Sequence, residues 1–177
     1  MEILITIKIP KKIVREMSVY KNEYHPEKLS HSSAHLTLVP PFVLSGELEN
    51  LTKEIKTRLK SQKFFLLQVD GLGYFDESVI YFKPNLPFQL RKLQIDLKSL
   101  IYKNHRRRGH DDYWQFKTYH PHITISHDKP DKIRAYKKEL KGLIYRRQFV
   151  VRAIELYVRR KGKRWILGEK FAFKKQL

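Results

Sequence analysis

The chain has 177 residues, 41% of them apolar, and Lys+Arg 37 against Asp+Glu 18 give a formal net charge of +19. That length suits one domain, 1–177, and Tyr 10, Phe 10 and Trp 2 are enough to build a core for it. The charge favours polyanionic partners, with RNA, DNA and anionic membrane all open. The absence of cysteine excludes disulfides and thiolate metal sites and fits a reducing, cytoplasmic location.

In chain order, residues 2–9 alternate apolar and polar as a strand does. These first residues carry Glu2 and Lys8 and show no cleavage pattern, so they do not read as a signal peptide. Pro10 suits the first turn of a helix on which Ile13, Met17 and Tyr20 share a face. Residues 21–33 read as a polar connection. AHLTLVPPF at 34–42 reads as a strand ended by Pro40 and Pro41. The longest uncharged run, 29–46, contains both prolines and many polar residues, which excludes a membrane span there.

Ser45 is the expected N-cap of a helix with a stripe of Leu48, Leu51, Ile55 and Leu59. Residues 64–69 and 79–82 read as strands, separated by Gly71, Gly73 and the polar turn at 76–78. Pro87 opens a helix with Leu90, Leu93, Leu97 and Leu100 on one side. KNHRRRGHDD at 103–112 is a loop or the frayed end of that helix. YHPHITISH at 119–127 is a further strand. Pro130 and Asp131 then start a short helix with Ile133, Tyr136 and Leu140 inward and Gly142 at its end. Residues 149–158 and 164–173 read as two last strands joined by a basic hairpin loop.

Two stretches rhyme. His35-Leu36-Thr37-Leu38 and His122-Ile123-Thr124-Ile125 each place His and Thr two apart. On a strand these share one face, and the apolar residue between them points to the other. Each motif is followed by a helix and then strands. The order predicts two like α+β halves, in which a pseudo-two-fold would set the motifs face to face across a cleft.

Two imidazoles suit phosphodiester chemistry: one takes a proton from the attacking oxygen and the other gives one to the leaving oxygen. Two threonine hydroxyls can donate to non-bridging phosphate oxygens. No cofactor or metal is needed, since side chains supply both the protons and the charge stabilisation.

HLTL at 35–38, HITI at 122–125 and the surrounding FKTYHPHITISH at 116–127 resemble the signature motifs of the 2H phosphoesterase superfamily, which includes 2′-5′ RNA ligase-like proteins and RNA 2′,3′-cyclic phosphodiesterases. The resemblance covers nearly the whole chain. It implies a bilobal α+β sandwich of two antiparallel sheets with outer helices and a central cleft. It implies His35 and His122 as catalytic acid and base, and Thr37 and Thr124 as phosphate-binding residues. The activity implied is hydrolysis of cyclic 2′,3′-phosphates or 2′-5′ bonds, with ligation as the reverse. Where the RNA-ligase-like branch carries an Arg after the second motif, this chain has His127. Its first motif continues into Val39-Pro40-Pro41-Phe42, closer to a bacterial branch.

Other candidates surround these. His120 and His122 have a spacing that can bind a metal, with His35 and Asp128 as further ligands; the cleft reading instead makes His120 a lining residue. His127 stands as a phosphate donor. Arg106, Arg107 and Arg108, with Lys103, Tyr113 and Trp114, form a candidate RNA clamp, and Asp111 and Asp112 lie in the same charged stretch. Phe42, Tyr74, Phe75 and Tyr119 are candidate base-stacking rings. The expected partner is RNA or a nucleotide with a cyclic phosphate or 2′-5′ linkage, bound by a monomer without a membrane. A non-catalytic RNA-binding module using the same basic cleft is the alternative.

Overall fold

The structure, a computed structural model, describes residues 1–25, 34–104 and 118–175, with the side chains of 103 and 104 excepted. Its elements are β1 Glu2–Ile7, α1 Lys11–Tyr24, β2 Leu36–Val43, α2 Leu48–Arg58, β3 Phe65–Phe75, β4 Val79–Pro84, α3 Phe88–Asn104, β5 Ile123–His127, α4 Pro130–Glu139, β6 Arg146–Val151, β7 Ala153–Arg159 and β8 Ile166–Ala172. They form two four-stranded antiparallel sheets, ordered β2-β1-β7-β8 and β5-β4-β3-β6.

Alternation decides which face of each sheet is covered. Ile3, Ile5 and Ile7 of β1 are buried on one face with Leu36 and Leu38 of β2. Leu51 and Ile55 of α2 and Leu90, Leu93 and Leu97 of α3 belong to the same core, and α3 packs on β2. In the second sheet, Phe82, Ile123 and Ile125 are buried, and α1 and α4 pack on β5 and β4. Each fully buried Ile or Leu contributes about 1.5–3 kcal/mol. The opposite faces carry the His-Thr motifs. No helix among the described residues is long and apolar enough to cross a membrane.

The pseudo-two-fold expected from the motifs is present, but with exchanged strands. β1-α1-β2-α2-β3 answers to β4-α3-β5-α4-β7. In each half the first strand lies beside the motif strand, while the third crosses to the other sheet: β3 pairs with β4, and β7 with β1. The motif strands β2 and β5 sit at corresponding edges.

Several boundaries differ from expectation. Pro40 and Pro41 do not end their strand, because β2 is an edge strand and its register with β1 shifts there: Ile3 faces Phe42 while Ile5 faces Val39. A missing N–H is tolerated at such a position. β3 runs through both glycines to Phe75, with a register shift between Val69 and Leu72 and Gly71 at φ +72°. α1 continues to Tyr24, because Lys21 and Tyr24 are buried. The helix after Gly46 has Glu47, not Ser45, at its N-cap. The expected single strand at 149–158 is two, β6 and β7, divided at Arg152 where the chain passes from one sheet to the other.

Candidate active site

Motif one lies at the start of β2. Thr37 pairs with Thr6 of β1, and Leu36 with Ile7. Leu36 and Leu38 are fully buried, while His35 and Thr37 are partly exposed on the other face. Thr6 pairs onward with Glu155, and Glu155 with Lys170. The open face of the first sheet therefore carries a row Thr37, Thr6, Glu155, Lys170. Thr6 is buried beneath it.

Motif two has the same form with different surroundings. His122 immediately precedes β5, and its Nδ1 is 2.9 Å from the carbonyl oxygen of His120. A carbonyl can only accept, so Nδ1 carries the proton and donates. In the neutral ring this leaves the Nε2 lone pair free. The ring stands edge-on to Phe75 (centroids 5.0 Å, 86°) and to Tyr81 (5.8 Å, 67°), which stack on each other at 4.4 Å. Burial pushes the His122 pKa down from its ordinary value. The bond to the His120 carbonyl works in the opposite direction, and the charge of His120 adds to the lowering. Thr124 pairs with Tyr81, and Tyr81 with Gly73. The Tyr81 ring lies flat over Gly73: a Cβ there would come within 2.3 Å of Tyr81 Cζ.

The motifs are tied to each other and to the helices. The Tyr119 hydroxyl donates to the Thr37 carbonyl at 2.8 Å, joining the approach to motif two to the strand of motif one. Burial raises the Tyr119 pKa far above its usual range, which keeps the phenol protonated as a donor. Ser126 is buried and donates to the Tyr24 carbonyl at 2.7 Å, and the His127 N–H donates to His25 Nδ1 at 3.1 Å. The end of α1, which follows a strand of the first sheet, thereby grips the edge strand of the second.

The remaining candidates separate. Phe42 is buried in the core and is not a base-stacking ring on the surface. Tyr119 is half-buried with its hydroxyl engaged, so it joins two strands instead of presenting a free ring. His120 and His127 are exposed. Tyr74 is exposed, with Lys137 Nζ 4.6 Å from its ring centroid. Phe75 packs against His122. Asp128 accepts from the Lys129 N–H and pairs with Lys132 at 3.3 Å. Among the described residues, no group of three His or acidic side chains that could hold a metal is assembled. Arg106, Arg107, Arg108, Asp111, Asp112, Tyr113 and Trp114 lie outside the described residues, as does the Lys103 side chain. A large surface groove of about 840 Å³ runs along α2 between Ser45 and Arg58 and contains no motif residue. Sequence reasoning misses Tyr81, Thr6 and Lys8, because their places depend on strand pairing that no local pattern reveals.

The sequence pattern of the 2′-5′ RNA ligase superfamily matches residues 9–163. No curated protein matches the chain in sequence. Similar solved structures include TT0787 of Thermus thermophilus, with 16% identity, a TM-score of 0.68 and the full length of both chains covered. They also include a phosphoesterase, with 18% identity, a TM-score of 0.63 and 97% of each chain. Escherichia coli LigT complexed with 3′-AMP has 19% identity, a TM-score of 0.63 and 97% of each chain. At these identities the likeness is one of fold, and it includes the two-sheet arrangement.

Proposed function

Because the chain belongs to the 2′-5′ RNA ligase superfamily of 2H phosphoesterases, we propose that it hydrolyses 2′,3′-cyclic phosphates or 2′-5′ phosphodiester bonds of RNA or nucleotides without a metal, by acid–base catalysis shared between His35 and His122. The observation that carries this is the state of His122. Its Nδ1 proton is held by the His120 carbonyl, its ring is covered by Phe75 and Tyr81, and its pKa is lowered. Such an imidazole is neutral near pH 7 and offers Nε2 as a base.

His122 Nε2 takes a proton from water as the water oxygen attacks phosphorus. The bond to one ribose oxygen breaks, and His35 gives that oxygen a proton. Thr37 and Thr124 donate to the non-bridging oxygens, where charge grows. The reverse sequence, with the two histidines exchanging roles, would form a 2′-5′ bond. The bound 3′-AMP in the LigT structure carries its phosphate on the ribose, as an opened cyclic phosphate would.

The test is turnover of a 2′,3′-cyclic nucleotide by purified protein in a chelator. Each of His35→Ala and His122→Ala should lower kcat by about 10²–10⁴-fold while the protein stays folded. Turnover that survives both substitutions, or that appears only with added metal, overturns the proposal. The net charge of +19 favours a second reading, a non-catalytic RNA-binding module. It is marked by salt-dependent RNA affinity, no turnover, and indifference to removal of both histidines.

A further inference from the structure

A cavity of about 560 Å³ opens between the motif-bearing faces of the two sheets, where the chain crosses from β6 to β7. Lys8, Lys170 and Ala172 line it from the first sheet, Val150 and Phe64 from the side of the second, and Arg152 from the crossing itself. Lys8 follows the strand that pairs with motif one. Continuing the register of Ile7 with Leu36 sets Lys8 beside His35, on the face that His35 shares with Thr37. Lys170 lies two strands further across that face, in the Thr37 row.

The charges in this cavity are unbalanced. Lys8 Nζ is 3.6 Å from Glu155 Oε1, and the other oxygen of Glu155 accepts from the Tyr157 hydroxyl at 3.0 Å. The Lys170 ammonium lies against that of Lys8, and this proximity lowers the Lys170 pKa. The Arg152 guanidinium lies over the Phe64 ring at 5.7 Å and makes no ion pair among the described residues. Lys8 and Lys170 thus share one carboxylate, which is held on one side by a tyrosine, and Arg152 has none among the described residues. Such an arrangement lacks an anion.

We propose that this cavity is a second phosphate subsite, in which Lys8, Lys170 and Arg152 hold another phosphate of the same RNA strand that His35 and His122 cleave. It rests on the phosphoesterase reading. The subsite is centred over β7, two strand spacings or about 10 Å from β2. It therefore engages substrates with a phosphate beyond the reacting one, and a mononucleoside 2′,3′-cyclic phosphate leaves it empty.

The experiment compares kcat/KM for a mononucleoside 2′,3′-cyclic phosphate with that for a trinucleotide ending in the same group, in wild type and in Lys170→Gln/Arg152→Gln. Both side chains are exposed, so the fold tolerates the change. The trinucleotide-to-mononucleoside ratio should fall about ten- to hundredfold in the variant. A Lys53→Gln/Lys60→Gln variant, which removes the same charge around α2, should keep the wild-type ratio. In parallel, fluorescence anisotropy reads binding of a 3′-phosphorylated trinucleotide, which needs no turnover. Its log Kd against log salt should become shallower by about 0.7 in the subsite variant. An unchanged ratio, or an equal drop in the α2 variant, overturns the subsite. If no substrate is turned over at all, the phosphoesterase reading fails, and the anisotropy result alone decides whether the cavity binds phosphate.

Discussion

Replacing Tyr119 by Phe keeps the ring and removes the hydroxyl that binds the Thr37 carbonyl at 2.8 Å. A neutral hydrogen bond contributes about 0.5–1.5 kcal/mol net, and a buried carbonyl left unpaired costs about 1–3 kcal/mol. Thr37 is partly exposed, so water can replace some of what is lost. The expected destabilisation is about 1–1.5 kcal/mol by urea titration, equivalent to a fall in Tm of roughly 3–5 °C for a chain of this size. Catalysis should suffer more than this implies, since the bond holds the two motifs in register. A displacement of about 1 Å in a catalytic constellation can cost 10²-fold, so kcat should fall about ten- to hundredfold with little change in KM. There is also a pH signature. The folded phenol holds its proton more tightly than the unfolded one. Its contribution is complete below the unfolded pKa of about 10 and is lost as pH rises beyond it. The stability gap between wild type and Tyr119→Phe should therefore narrow above pH 10. A variant matching wild type in both urea midpoint and kcat would refute the bridging role.

Four further outcomes follow from the surroundings of His122 and from the core. The acid limb of the kcat/KM profile should lie below the ordinary histidine pKa of about 6.5, because activity rises as a base with lowered pKa loses its proton. Phe75→Leu should open the cover and move that limb to higher pH; a limb that stays put would separate the ring from the base. Gly73→Ala puts a methyl group where the Tyr81 ring lies, so that ring must leave its stack on Phe75. The cost should be about 1–3 kcal/mol in thermal unfolding, with the same upward shift of the acid limb. Tyr145 is buried with a hydroxyl that has no hydrogen-bond partner among the described residues. Tyr145→Phe should therefore stabilise by about 1 kcal/mol, and a lower urea midpoint would show that the hydroxyl is satisfied in solution.

The motifs, the helix stripes and the two-half plan are legible in the sequence, because each rests on a local period. The rest is hidden where the physics is not local. Pro40 and Pro41 look like a strand end until β2 is known to be an edge. Gly71 and Gly73 look like a break, but one sits at a register shift and the other lies under a ring from the neighbouring strand. At the change of sheet by Arg152 the core-facing positions pass from Phe149 and Val151 to Ile154 and Leu156, and the two apolar runs join without a turn residue, so they read as one strand over 149–158. An aromatic beside a motif, such as Tyr119, is a natural base-stacking candidate. Its actual partner is a carbonyl 82 residues away in sequence, which no pattern could supply.

The two motifs, alike in sequence, do not have equivalent surroundings. In each sheet the neighbour of the motif threonine comes from the strand that opens the same half: Thr6 beside Thr37, and Tyr81 beside Thr124. These positions correspond under the pseudo-two-fold, yet one holds a small buried hydroxyl and the other a large ring. The ring, with Phe75, dehydrates His122 and favours its neutral form. Motif one has no such cover from Thr6, and beyond it the same face continues to Glu155 and the cationic cavity. The fold thus places two like motifs by symmetry and gives them different surroundings by breaking that symmetry at one position in each sheet. In the reaction proposed above, the desolvated ring serves as the base and His35 as the acid.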